Sequence, residues 1–207
     1  MIRSNGASSS EEEIELPRLV NVDDELVSYL DRAESFIKEQ RYSEAARALQ
    51  ALADRDDAGF APADEPGSYV SLQRKAQDII GAMPPEALEV YRRLYDPQAR
   101  RLLEQATAEG DERALLRVVQ QYTHTSSGPA AMDRLARIRF DLGEFGASAA
   151  LWQRALALDV PETDVPMLLA KLAVAHHLAG QADASEQFAV RLRLEYPDAT
   201  GKLAGRR

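Results

Sequence analysis

Asp133-Arg-Leu-Ala-Arg-Ile-Arg-Phe-Asp-Leu-Gly-Glu-Phe-Gly-Ala-Ser-Ala-Ala-Leu-Trp-Gln-Arg-Ala155 is answered further along the chain by Ala170-Lys-Leu-Ala-Val-Ala-His-His-Leu-Ala-Gly-Gln-Ala-Asp-Ala-Ser-Glu-Gln-Phe-Ala-Val-Arg-Leu192. In the first stretch Leu135, Ala136, Gly143, Phe145, Ser148, Trp152 and Ala155 set a large residue, a small one, a glycine, an aromatic, a small residue, an aromatic and a small one. In the second, Leu172, Ala173, Gly180, Ala182, Ser185, Ala189 and Leu192, followed by Pro197, repeat the order. Small residues at fixed places let two helices cross closely, and a glycine after a helix end can take the positive φ that turns the chain. Each stretch is therefore expected to fold as a helical hairpin stacked on the next.

Gly143 and Gly180 stand 37 residues apart, a repeat of about 34 plus a slightly long linker supplied by Pro161-Glu-Thr-Asp-Val-Pro166. That period resembles tetratricopeptide repeats. Ala33, Tyr42, Ala45 and Leu49 fit the same frame, residues 99 to 122 fit it loosely, and 68 to 94 fit it worst. Helical spacing of apolar residues predicts a helix from Asp23 or Asp24 to about Gln40 and a second one capped by Ser43. A third is expected from Ser68, broken by Gly81 to Pro85, and a fourth from Pro85. Asp96-Pro97 should restart the chain before a pair over Pro97 to Glu109 and Asp111 to Tyr122; Thr123 to Pro129 then supplies a loop and a capping serine. The expected fold class is all-α, a tetratricopeptide-like right-handed solenoid of five helical hairpins or slightly fewer. Residues 16 to 207 form it. Residues 1 to 15, with Glu11-Glu12-Glu13, read as a disordered acidic lead, and 54 to 67 as an exposed loop whose Phe60 tucks back against the first hairpin.

Composition supports helix over strand, with aromatics at 6% and alanine, leucine, glutamate and arginine abundant. Sheet is not expected. Cysteine is absent, which removes disulfides, thiolate metal sites and cysteine nucleophiles. The net charge of -9 comes wholly from residues 1 to 66, with 16 acids against 7 bases, while the remainder carries 18 of each. Such a surface argues against nucleic-acid binding, and the cations of Tyr91-Arg-Arg-Leu-Tyr95 have Glu86, Glu89 and Asp96 beside them. No apolar run approaches the roughly 20 residues of a membrane helix. His176 and His177 point about 100° apart on a helix, and neither they nor His124 stand in a metal-ligand spacing. No phosphate loop, dinucleotide fingerprint or nucleophile elbow is present, so neither cofactor nor catalysis is expected.

A second resemblance rests on Arg41-Tyr-Ser-Glu-Ala-Ala-Arg47, Ala82-Met-Pro-Pro-Glu-Ala-Leu-Glu-Val-Tyr-Arg-Arg-Leu-Tyr-Asp96, Ala99-Arg-Arg-Leu-Leu-Glu104 and Val118-Val-Gln-Gln-Tyr-Thr-His-Thr-Ser-Ser-Gly128. These look like the amino-terminal helical region of large bacterial envelope-associated proteins in which it precedes a β-propeller of PQQ-binding-like repeats. The resemblance covers roughly residues 16 to 207. It implies the cell envelope or periplasm, a propeller domain as partner and no catalytic residues. The chain carries neither propeller nor export signal, so it is expected to be a fragment or a stand-alone relative, cytoplasmic if the resemblance fails.

If the hairpins curve as tetratricopeptides do, the first helix of each lines the concave face. Asp133, Arg137 and Phe140 of one unit, with Val174 and His177 of the next, then form a protein-binding groove. The expected function is a non-catalytic scaffold for a protein or peptide segment; a self-assembling oligomer subunit is the alternative.

Overall fold

The computed structural model describes residues 24 to 55, 59 to 63 and 68 to 200. The expected acidic lead lies outside these residues, as do 56 to 58 and 64 to 67 of the expected loop. The described chain runs α1 (Asp24–Lys38), α2 (Tyr42–Ala53), β1 (Phe60–Pro62), β2 (Tyr69–Ser71), α3 (Leu72–Gly81), α4 (Pro85–Glu109), α5 (Glu112–Gln121), α6 (Gly128–Asp141), α7 (Phe145–Leu156), α8 (Val165–Leu178) and α9 (Ala182–Glu195), with a 3-10 turn at Glu162–Asp164 before α8. This is an all-α repeat fold of stacked helical hairpins.

The turn chemistry behaves as expected in three of the hairpins. Gly110, Gly143 and Gly180 take φ of 66°, 81° and 75° between α4 and α5, α6 and α7, and α8 and α9. Between α1 and α2 a non-glycine, Gln40, takes φ of 60°, a conformation that costs roughly 1–2 kcal/mol with a side chain present.

Six local expectations are corrected. Helix α2 begins at Tyr42 with Arg41 as its cap, so Ser43 lies inside the first turn. Residues Tyr69 to Ser71 are a strand, paired antiparallel with β1 in the register Phe60 to Ser71, Ala61 to Val70 and Pro62 to Tyr69, and α3 starts only after Ser71, whose side chain accepts from Arg74 N–H. This small ribbon buries Ala61 and leaves Phe60 exposed rather than tucked back. Asp96-Pro97 does not restart the chain: α4 runs through it for 25 residues. Proline removes one ladder donor, but the flanks are pinned in packed cores, Ala87 and Tyr91 on one side and Ala99 on the other, and packing outweighs the local break. Finally, Ser127 occupies the cap position of α6 without a side-chain bond, and α3 packs chiefly on α2 while α4 packs chiefly on α5, so the expected pair over 68 to 94 does not form and the described residues hold four hairpins and one extra helix.

Two large cores result among the described residues, joined along α4, beside a small third cluster of Ala106, Ala114 and Leu115. The first gathers Leu30, Leu49, Leu72, Ile80 and Tyr91 from α1 to α4; the second gathers Ala99, Val118, Met132, Leu135, Trp152 and Leu172 from α4 to α8. Tyr95 packs against both. Each large aliphatic side chain so buried contributes about 1.5–3 kcal/mol.

Polar bonds rivet the joint. The Tyr91 hydroxyl donates to Gln50 Oε1 at 2.7 Å, and the side-chain amides of Gln50 and Gln77 both donate to the Gln121 carbonyl, at 3.1 and 2.8 Å. Tyr91 and Gln50 are almost wholly buried, so these partners answer the desolvation cost of their polar atoms. The loop after α5 completes the joint. The His124 carbonyl accepts from Arg92 Nε at 3.1 Å, and Ser126 N–H donates to Asp96 Oδ1 at 2.8 Å.

Candidate functional site

The first helices of the last three hairpins are the second half of α4, then α6 and α8. A depression of about 520 Å³ lies between α6, α8 and the linker before α8, and another of about 410 Å³ lies between the end of α4 and α6. Both are lined by Ala130, Asp133 and Arg137, so they form one groove crossing α6. Pro129, Val160, Pro161, Met167 and Leu168 supply apolar wall in the larger part.

Its charged centre is fixed from below. Asp133 Oδ1 accepts from Trp152 Nε1 at 2.8 Å and from Lys171 Nζ at 2.5 Å, while Oδ2 forms an ion pair with the Arg137 guanidinium at 2.6 Å. Helical spacing puts Asp133 and Arg137 one turn apart on α6, and the α7 and α8 packing brings Trp152 and Lys171 to them. Lys171 Nζ also lies 5.6 Å from the Trp152 ring centre. The Lys171 side chain is 12% exposed and Asp133 21%, but Arg137 is 61% exposed, so Arg137 is the most accessible member of the three. At the rim, Arg92 pairs with Asp159 at 2.9 Å.

Burial pushes the Asp133 carboxyl up, but the Lys171 bond and charge, the Trp152 indole and Arg137 together outweigh it and hold it below the ordinary 3.8. A carboxyl whose folded value is depressed adds stability above its unfolded value and loses it as pH falls through the folded one. Asp133→Asn is therefore expected to lower the urea midpoint at pH 7. The gap from wild type should close as pH drops below 3.8; a gap that stays constant into acid would refute this assignment.

The groove unites two of the five expected residues, Asp133 and Arg137. Phe140 is turned into the seam between α6 and α7, its ring centre 5.1 Å from Phe145 and 5.8 Å from Trp152. Val174 and His177 are exposed on α8 and do not line the groove. They sit 37 residues after Arg137 and Phe140, the repeat spacing, so they occupy the same places in the last hairpin. Sequence reading singled out Arg92 only as one of the cations of residues 91 to 95, and it missed Lys171 and Met167. Their signal was the linker with Pro161 and Pro166, which folds residues 159 to 164 against the open side of α6. His176 is buried, with its ring stacked on Phe188 at 5.3 Å and Nδ1 2.6 Å from Gln181 Oε1. Among the described residues, no group of three or more histidine and carboxylate side chains is placed to hold a metal, and no helix is long and apolar enough to cross a membrane.

Among solved structures, the chain is similar to MamA AMB-1 at 18% identity over 86% of this chain and 96% of that one, with a TM-score of 0.39. It is also similar to BtubC (BKLC) from P. vanneervenii at 12% identity over 88% of this chain and 68% of that one, with a TM-score of 0.36. No protein-family model and no curated protein matches the chain.

Proposed function

We propose that the protein is a non-catalytic interaction module that holds a segment of another protein in the groove formed by α4, α6 and α8. The observation that carries this reading is the joining of two depressions at Asp133 and Arg137, with proline and aliphatic walls around charges that are already paired and oriented. Such a surface takes an extended or helical segment: the walls supply burial and the fixed charges set register. The resemblance of residues 16 to 207 to a region preceding a propeller makes a β-propeller domain the first partner to try.

The test is an affinity pull-down with wild-type bait beside Arg137→Glu, followed by titration of the recovered partner. Reversing this exposed charge removes its attraction for an acidic group of the partner and sets it against Asp133. The expected result is a loss of at least tenfold in affinity, about 1.4 kcal/mol. A partner bound equally by both baits removes the groove from the account.

Self-assembly is favoured by a separate observation. Val174, Leu178, Val190 and Leu194 of the last hairpin are 37%, 47%, 36% and 76% exposed, and α9 buries none of its residues, so this end lacks the covering that α8 gives α7. A solution mass that stays at one chain across concentration rejects that reading.

A further inference from the structure

A separate cleft of about 400 Å³ opens where α3 meets the ends of α5 and α7, and it shares no lining residue with the groove. Its apolar wall is Val119, Met132 and Leu158, and its charged residues are Arg74, Asp78 and Arg154. Arg74 Nε pairs with Asp78 Oδ1 at 2.8 Å, one helical turn away. Arg154, in the last turn of α7, makes no ion pair or hydrogen bond among the described residues. Burial and then the Arg74 charge lower its pKa, and the attraction of Asp78 opposes them without cancelling them. A partly desolvated cation set beside another cation is an arrangement that a bound anion relieves.

A second observation also points to a ligand in this cleft, one that brings a hydrogen-bond donor such as a peptide N–H beside its anionic group. Gln77 lines this cleft, is 5% exposed, and its Oε1 has no hydrogen-bond partner although the other end of the amide is satisfied by the Gln121 carbonyl. A buried acceptor left open is costly, and a donor brought in by a ligand or its water would answer it.

The charge balance selects the anion. Burial holds the His124 imidazole below its ordinary 6.5, so at pH 7 this lining residue is neutral. Arg74 and Arg154 against Asp78 then leave one net positive charge. A phosphate dianion would exceed it and face Asp78, whereas a carboxylate matches it, and the methylenes of a glutamate suit the apolar wall. We propose that the cleft is a second binding site, which takes a glutamate-bearing segment of a partner protein.

The test follows the Arg154 Nε–H resonance by NMR in the whole chain while a capped tri-glutamate peptide is added at low salt. The expected result is a saturable shift, absent with tri-glutamine and unchanged by Arg137→Glu. Binding should weaken at least tenfold in Arg154→Gln and less in Arg74→Gln, because Arg74 already serves Asp78. Arg137→Glu acts in the groove alone, so the two sites fail separately. An Arg154 resonance blind to the peptide, equal affinity in Arg154→Gln, or tighter binding of inorganic phosphate than of the peptide would each overturn the assignment.

Discussion

Gly128→Ala is expected to lower stability by about 3 kcal/mol or more, in the range reserved for steric conflict at a fixed backbone. A Cβ at this position would stand 2.0 Å from the Thr123 carbonyl oxygen, 2.7 Å from its carbon and 3.0 Å from the Tyr122 oxygen. All three atoms are backbone, so no rotamer change clears them. The loop cannot drift away either. Thr125 binds the Tyr122 carbonyl through both its N–H and its hydroxyl, Gly128 N–H binds the Thr125 carbonyl, and Ser126 N–H is held by Asp96 on α4. Alanine's advantage of about 1 kcal/mol over glycine in a helix is therefore overwhelmed. Gly146→Ala is the control, since its Cβ would meet nothing within 4 Å in the first turn of α7, and it should stabilise by a few tenths to about 1 kcal/mol. Urea unfolding of both variants decides the matter: a Gly128→Ala midpoint equal to wild type would show that the loop is not pinned as described.

That loop also shows what could be read from the residues alone. Ser127-Gly128-Pro129 announced a helix start, because proline suits a first turn and serine a cap. It did not announce that the glycine is required by a carbonyl five residues back, a contact set by how the chain folds over itself. The same division runs through the fold. Gly110, Gly143 and Gly180 were legible as turns because a positive φ is a local demand. The unbroken α4 was not, since Pro97 is local evidence for a break and only the two cores on either side of it outweigh that evidence. In the groove, Asp133 and Arg137 were legible as one helix's inner face. Lys171 comes from another helix, and Phe140 was misread because the 3.6-residue period gives its face only to within the width of the seam it fills.

Trp152→Ala is expected to cost about 3–5 kcal/mol, the usual range for removing a large buried ring, and so to lower Tm by roughly 6–20 °C in a chain of this size. Trp152 is 3% exposed and holds three things at once: the Phe140 ring, the Lys171 ammonium and, through Nε1, the Asp133 carboxylate. Removing it opens a cavity between α6, α7 and α8 and takes one donor from a carboxylate that is mostly buried. Trp152→Phe separates these terms, since most of the ring volume remains and only the N–H is lost; its cost should be about 1–2 kcal/mol. In an Asp133→Asn background the Phe substitution should cost less, because the hydrogen bond it removes no longer reaches a charge, and the shortfall is the coupling between ring and carboxylate. If the two substitutions simply add, the indole does not position Asp133, and the groove's charged centre is held by Lys171 and Arg137 alone. If they couple, the small-residue crossing of α6 and α7 and the chemistry of the groove depend on the same side chain. Selection for packing at Trp152 would then also fix where a partner's charge is met.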